Sequence, residues 1–373
     1  MLASGPRTAE CGRGRSTGDP RAGRGDTVGD TRAGRAFIGS FTSAGGRGIL
    51  AAMVDAGTGA LTAGEATDAV ADPSYLAAAG GTVLYAVSET ADGAVAAFDI
   101  ADGRFRPIGE PVSVEGEGPT HLTLAQGRLL TANYGSGSVS VLPLGPDGAP
   151  GAVAAVVPHE GRGPDPDRQT RPHAHQVLAD PSGRWILAVD LGTDTVRSYA
   201  PDSATGGLTA HGRITLRPGT GPRHLAFHPG GHHAYVLGEL EPTLTVCRWD
   251  DRAGVLEPVA ECRVLPDGVE GPAYPSALVV AHDGTHVWAA VRGHDSIAVL
   301  DLDPTFEKAE LATTVPCGGH WPRDLALDPT GRRLYAANER SGDVTWFHVD
   351  EETGIPQRAG SLPVPAPSCV VFA

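Results

Sequence analysis

Three arginines occur where an anionic ligand could be bound. Arg223 and Arg323 each follow a proline at the start of an apolar run, and Arg292 ends a third run. Arginine suits a carboxylate, a phosphate or a developing oxyanion, because its planar guanidinium group donates two hydrogen bonds to one acceptor group. Salt bridges to glutamates of neighbouring segments are the alternative role for these arginines.

Glu239 is a candidate acid or base. It ends the apolar run Tyr235-Val-Leu-Gly-Glu239. Burial raises the pKa of a carboxyl group and nearby arginines lower it, so the sequence does not fix its protonation state. Glu239 is therefore either a general base for water or the ion-pair partner of Arg223.

Two histidines lie two residues apart in Pro172-His-Ala-His-Gln176. On an extended strand, His173 and His175 would point to the same side. One interpretation is a metal site completed by Glu239 or Asp190. The other is that one imidazole lines a wet channel while its neighbour bonds to the backbone. No further ligand spacing supports a metal, so we expect a site with no metal and no other cofactor.

A repeated unit must position these side chains. A proline that begins a strand-like segment recurs at intervals of 45 to 53 residues. The seven positions are Pro73, Pro119, Pro172, Pro222, Pro275, Pro322 and Pro367. Such a period is typical of propeller blades with four strands each. The 51 glycines and 31 prolines among 373 residues also indicate many tight turns.

Counting the units predicts a closed ring. Six units are complete, whereas the unit at Pro367 has room for only one strand, and residues 36–61 would supply the others. We therefore predict an all-β fold over residues 35–373: a seven-bladed β-propeller of four-stranded antiparallel blades, closed by pairing of the C-terminal strand with N-terminal strands. Residues 1–34 are predicted to be a disordered Gly/Arg-rich extension. A large sandwich or a parallel β-helix is the alternative, which the period disfavours.

The inner strands of a propeller open onto a central channel, where polar side chains from several blades meet. Residues just after the repeated prolines, and residues at the ends of the second strands, are expected to line it. Six of them are expected to contact the substrate: His121, Asn133, His173, His224, Arg323 and Glu339.

Composition excludes several classes of partner. The net charge is −15, with 29 basic and 44 acidic residues, which disfavours binding to nucleic acid or to an anionic membrane. No apolar stretch is long enough for a transmembrane helix. The five cysteines form no CxxC pair, so we expect a cytoplasmic protein. A closed propeller hides its sheet edges, so we expect a monomer.

Several motifs resemble those of one known family. They are Phe37-Ile-Gly-Ser-Phe-Thr, Pro172-His-Ala-His-Gln176, Gly221-Pro-Arg-His-Leu-Ala-Phe-His-Pro229, Glu239-Leu, Arg292-Gly-His-Asp-Ser-Ile297 and Ala337-Asn-Glu-Arg-Ser341. The chain resembles the seven-bladed propeller lactonases over residues 36–373. That family includes one type of 6-phosphogluconolactonase, and its fold is shared with fungal carboxy-cis,cis-muconate cyclase.

The resemblance implies a lactone hydrolase that acts in the central channel. Its substrate would be a small anionic lactone, most simply a sugar lactone such as 6-phosphogluconolactone of the pentose phosphate pathway. Carried over from the muconate cyclases, the catalytic residues would be His175, Arg223, Glu239 and Arg292. Glu239 or His175 would act as acid or base, and both arginines would bind an oxyanion or a substrate carboxylate. A lactone-forming cyclase or isomerase, or a non-catalytic propeller scaffold, is the alternative.

Overall fold

The computed structural model describes residues 34–373, which form 29 strands in seven antiparallel sheets. The N-terminal strands are β1 (Gly34–Ser40), β2 (Ile49–Val54) and β3 (Leu61–Thr67). The first complete blade contains β4 (Leu76–Ala79), β5 (Val83–Ser88), β6 (Ala94–Asp99), β7 (Arg106–Pro107) and β8 (Val112–Ser113). The second contains β9 (Pro119–Ala125), β10 (Arg128–Asn133), β11 (Ser138–Pro143) and β12 (Ala155–Pro158).

Blades three to six follow the same plan. The third contains β13 (Ala174–Ala179), β14 (Ile186–Asp190), β15 (Thr195–Pro201) and β16 (Leu208–Thr215). The fourth contains β17 (Pro222–Phe227), β18 (His233–Gly238), β19 (Thr243–Asp250) and β20 (Val255–Arg263). The fifth contains β21 (Tyr274–Val280), β22 (His286–Arg292), β23 (Ser296–Leu302) and β24 (Ala309–Pro316). The sixth contains β25 (Pro322–Leu327), β26 (Arg333–Asn338), β27 (Asp343–Val349) and β28 (Pro356–Pro363), and the last strand is β29 (Pro367–Phe372). Two short 3₁₀ helices are Thr42–Ala44 and Leu191–Thr193.

The seventh blade joins the two ends of the propeller. Its strand order is β29-β1-β2-β3. The pairing of β29 with β1 is antiparallel and places Ala36 opposite Phe372 and Ile38 opposite Val370. Neighbouring inner strands contact one another around the whole ring. The predicted seven-bladed propeller and its closure are confirmed.

Hydrophobic side chains form seven cores, each between two adjacent blades. Between blades four and five, for example, Tyr235 and Val246 pack with Val287 and Leu300. The middle strands are therefore buried on both faces, which explains why their sequences are nearly continuous apolar runs.

The inner strands share an irregularity close to where they begin. In six blades, the pairing of the inner strand with its neighbour skips one or two residues at this point. A bulge of this kind re-aims the side chain that it leaves unpaired. The skipped residues of the inner strands are Thr120, His175, Arg223, Ser276, Ala277, Arg323 and Ser368.

The repeated prolines lie at or close to the observed strand starts. Pro119, Pro222, Pro322 and Pro367 are each the first residue of an inner strand. The extension predicted for residues 1–34 lies outside the described residues, apart from Gly34, where β1 begins. Within residues 34–373, no helix is long and apolar enough to cross a membrane.

Candidate active site

Glu239 directly follows the last residue of β18, Gly238. A Cβ atom at position 238 would lie 2.6 Å from the backbone oxygen of Glu241, so only glycine fits this tight turn. The backbone N–H of Glu239 donates to the carbonyl of Gly221 at 2.8 Å. The turn thereby holds Glu239, which is 4% exposed, beside the start of β17.

Three arginines surround the Glu239 carboxylate. Arg292 Nη2 lies 2.7 Å from Oε2, and Arg223 Nε lies 3.1 Å from the same oxygen. Arg168 Nη2 donates to Oε1 at 2.7 Å. Arg223 and Arg292 are buried, whereas the side chain of Arg168 is 40% exposed. We call these four residues the arginine cluster.

The arginine cluster keeps Glu239 ionised. Burial alone would raise the pKa of this carboxyl group, but the charges of Arg292, Arg223 and Arg168 lower the pKa to about 2. Burial and the charge of Arg292 also lower the pKa of the Arg223 guanidinium group to about 9. At neutral pH the cluster therefore contains three cations and one carboxylate.

Both buried arginines keep a terminal nitrogen for a ligand. Arg223 donates through Nη1 to the backbone oxygen of Ser276, and Arg292 donates through Nε to that of Tyr274 at 3.1 Å. Within the part of the chain that the structure describes, Arg223 Nη2 and Arg292 Nη1 make no hydrogen bond. Two cationic donors from neighbouring blades therefore remain beside Glu239.

Arg168 was missed by the sequence prediction. It lies in the connection 159–173 between β12 and β13, and this position has no counterpart in the repeat. The periodic pattern therefore gave no reason to select it. The length of the connection was a usable signal, because long loops in compact domains often carry function.

Three neutral histidines lie next to the arginine cluster. The ring centre of His224 is 5.5 Å from that of His175 and 6.0 Å from that of His121. Burial and the charge of Arg223 lower the pKa of all three imidazoles, to about 3 for His121. His175 Nδ1 is buried and has no hydrogen-bond partner among residues 34–373. This nitrogen is available to a water molecule or a substrate.

A small polar cavity lies where the inner-strand bulges meet. Its volume of about 20 Å³ is enough for roughly one water molecule. Its walls include five of the skipped residues, namely Thr120, His175, Arg223, Arg323 and Ser368, together with Asp324. Burial raises the pKa of the Asp324 carboxyl group to about 7, although Oδ2 accepts a hydrogen bond from the Val370 N–H at 3.0 Å. Asp324 therefore exchanges a proton near neutral pH.

With this geometry in place, comparisons with known proteins identify the family. The family described as "Lactonase, 7-bladed beta-propeller" matches residues 35–372. The chain belongs to this lactonase family. It is 34% identical over 344 residues to a 6-phosphogluconolactonase of Bacillus subtilis, covering 90% of this chain and 97% of the relative.

Solved structures of other proteins have the same fold as this lactonase. A periplasmic gluconolactonase of Pseudomonas aeruginosa superposes with a TM-score of 0.84 at 28% identity, covering 91% of this chain and 99% of that one. A protein from Lactobacillus plantarum superposes with a TM-score of 0.86 at 27% identity and the same coverage. The predicted family and the predicted enzyme class, a lactonase, are confirmed.

Other residues predicted to bind substrate in this lactonase make contacts within the protein. Arg323 forms ion pairs with Glu89 at 3.5 Å and with Glu339 at 3.3 Å. These pairs correspond to the alternative role given above for the arginines, namely salt bridges to glutamates of neighbouring segments. Asn133 is completely buried. Its amide donates to Ser138 and Ser140, and Thr131 donates to its oxygen. A substrate could reach Asn133 only by replacing these bonds.

His173 and His175 have different surroundings. His173 Nδ1 lies 2.8 Å from the backbone oxygen of Tyr134, and the His173 ring stacks on that tyrosine at 4.3 Å. His175 occupies the bulge of β13 and faces His224. Within residues 34–373, no three His, Cys, Asp or Glu side chains are grouped as a metal site requires. The arrangement matches one imidazole at the channel and one bonded to the backbone.

Proposed function

We propose that this chain hydrolyses a lactone at the arginine cluster, and that its substrate is an anionic sugar lactone such as 6-phosphogluconolactone. The observation that carries the proposal is the buried Glu239 carboxylate, held between Arg223 and Arg292; within the described residues, one terminal nitrogen of each arginine makes no hydrogen bond. Membership of the lactonase family supports the reaction class. The named activity of the Bacillus subtilis relative supports the phosphorylated substrate.

Lactone hydrolysis needs a base for water and a positive site for the oxyanion. Neutral His175, whose Nδ1 has no partner among residues 34–373, is the proposed base, since Glu239 is already paired with three cations. His175 would take a proton as the water oxygen bonds to the lactone carbonyl carbon. Arg223 Nη2 and Arg292 Nη1 would stabilise the resulting oxyanion. When the ring C–O bond breaks, the proton passes to the leaving alkoxide and a hydroxy acid is released.

Glu239 has a different task in this scheme. Its carboxylate fixes the orientation of Arg223 and Arg292 and offsets part of their charge in a buried site. A site without Glu239 would hold two arginines whose mutual repulsion opposes the geometry needed for the oxyanion. We therefore propose Glu239 as the residue that positions the two donors, and His175 as the residue that moves the proton.

The alternative of a scaffold protein has little support at the surface. Among the described residues, only Met53 and Val255 are large hydrophobic side chains with high exposure, at 46% and 48%. Partner-binding surfaces are usually built around larger apolar or aromatic patches. The polar side chains that converge in the channel favour an enzyme.

The decisive experiment measures lactone opening directly. Purified protein is mixed with 6-phosphoglucono-δ-lactone or glucono-δ-lactone, and acid release is followed in a pH-stat with spontaneous hydrolysis subtracted. We expect fast opening of the phosphorylated lactone, unchanged by a chelator. His175→Asn should lower kcat by about 100-fold or more. The control variant Arg184→Gln, an exposed arginine paired with Asp251, should keep full activity.

Two results would contradict the proposal. If neither lactone is opened faster than in buffer, the chain does not hydrolyse these substrates, and a cyclase or isomerase reaction in the same channel becomes the next test. If His175→Asn keeps wild-type turnover, the base is another group. A denaturation curve for each variant separates loss of chemistry from loss of folding.

A further inference from the structure

Arg168 is held differently from the other arginines of the cluster. Its side chain is 40% exposed, against 4% for Arg223 and 8% for Arg292. It reaches Glu239 through a single nitrogen, Nη2, which also donates to Tyr134 Oη at 3.2 Å. Among residues 34–373, its Nε and Nη1 make no hydrogen bond. Because its guanidinium group is partly exposed, Arg168 can change partners more easily than the two buried arginines.

Hydrogen bonds hold the backbone at Arg168 and the neighbouring side chain in place, whereas the guanidinium group has few contacts. The neighbouring Gln169 is buried and donates to the Leu191 carbonyl at 2.8 Å and to Asp194 at 2.7 Å. The backbone N–H of Arg168 donates to the Asp165 carboxylate at 2.8 Å. The side chain can therefore change its partner without movement of the connection that carries it.

The net charge of the arginine cluster suits an anionic ligand. Arg168, Arg223 and Arg292 together carry three positive charges, and Glu239 supplies one negative charge. The four side chains of the cluster therefore carry a net charge of +2. A phosphate group carries up to two negative charges and accepts paired hydrogen bonds from arginine.

We propose that Arg168 is an exchangeable anion-binding residue, which pairs with Glu239 in the free protein and turns to the anionic group of the substrate on binding. The identity of the substrate rests on the proposed function, but the exchange itself does not. After the exchange, Glu239 retains two arginines, Arg223 and Arg292. The same movement thus binds the substrate and leaves Glu239 to orient the two oxyanion donors alone.

Phosphate binding tests the exchange without any turnover. Inorganic phosphate is titrated into the full-length protein by calorimetry at low ionic strength. A charge-assisted hydrogen bond contributes about 1.5–3 kcal/mol, so Arg168→Gln should weaken phosphate binding by about 10-fold or more. Arg184→Gln is the matched control, because Arg184 is 54% exposed and makes a 2.6 Å ion pair with Asp251. Its phosphate affinity should equal that of the wild type.

Steady-state kinetics supply the second measurement. Arg168→Gln should raise KM for the phosphorylated lactone about 10-fold more than for glucono-δ-lactone. Arg168→Lys should bind phosphate more tightly than Arg168→Gln but more weakly than the wild type. Lysine keeps the positive charge but lacks the planar guanidinium group that donates two hydrogen bonds to one acceptor group.

The outcomes separate this inference from the proposed hydrolysis. Equal phosphate affinities for the wild type and Arg168→Gln would overturn the inference, as would a wild type that binds no phosphate. A variant that is less stable but binds phosphate normally would show that Arg168 only covers Glu239. Loss of phosphate binding in Arg168→Gln, in a protein that opens neither lactone, would support the exchange and refute the hydrolysis.

Discussion

Two carboxyl groups in the same channel have opposite protonation behaviour. Glu239 is buried, yet contact with three arginines lowers its pKa to about 2. Burial acts on Asp324 as well, and there it raises the pKa to about 7. Arg223 and Arg323 oppose this rise, but in the described part of the chain neither forms an ion pair with Asp324. The comparison teaches that direct guanidinium contacts decide whether a buried carboxyl group in this channel keeps its charge.

The same difference gives the two groups opposite effects on stability. Glu239 has a lowered pKa in the folded state, so its contribution is present above the unfolded value near 4.5 and is lost as the pH falls towards 2. Asp324 has a raised pKa in the folded state. Between about pH 4 and pH 7 the folded protein keeps a proton that the unfolded chain releases, so this contribution declines as the pH rises.

Removal of the Glu239 charge should have the largest effect. Glu239→Gln leaves Arg223 and Arg292 buried without their counter-charge, and breaking a buried pair costs about 3–5 kcal/mol. We expect the free energy of unfolding to fall by this amount in urea denaturation at pH 7. Wild-type stability in this variant would contradict the comparison, because it would mean that solvent already screens the arginines.

The second prediction concerns the pH dependence of Asp324. The wild type should lose stability relative to Asp324→Asn by about 1.4 kcal/mol per pH unit between pH 5 and pH 7. Asparagine cannot ionise but can still accept the Val370 N–H. Urea denaturation at half-unit pH steps gives the difference curve, and parallel curves for both proteins would show that Asp324 titrates as an ordinary aspartate.

The sequence could predict which residues meet, because the repeat assigns them to equivalent positions. The 45–53 residue period placed Arg223 and Arg292 at channel ends of different blades, and the structure brings both to Glu239. The count of repeats also predicts that the C-terminal strand, β29, pairs with the N-terminal strands to complete the seventh blade, as observed.

The repeat does not predict which atoms surround each functional side chain. A strict alternation puts His173 and His175 on one side, but a bulge in β13 separates their surroundings. Arg168 comes from a connection outside the repeat. Since Arg168 is one of the three cations that lower the pKa of Glu239, the protonation of the site depended on a residue that periodicity does not select.

Arg323 allows the smallest and sharpest test of the comparison. Arg323 forms direct ion pairs with Glu89 and Glu339 but acts on Asp324 without such a pair. It is partly buried, and its guanidinium group packs over the Phe41 ring at 4.7 Å. Arg323→Gln should cost only about 1 kcal/mol at pH 7, since partly exposed pairs contribute little. Its more informative effect is on Asp324, whose pKa Arg323 lowers. The pH range over which stability declines should therefore move upward in Arg323→Gln, measured by the same urea series. An unchanged range would mean that arginines act on these carboxyl groups only through direct contact, and that the uncontacted Asp324 is governed by burial alone.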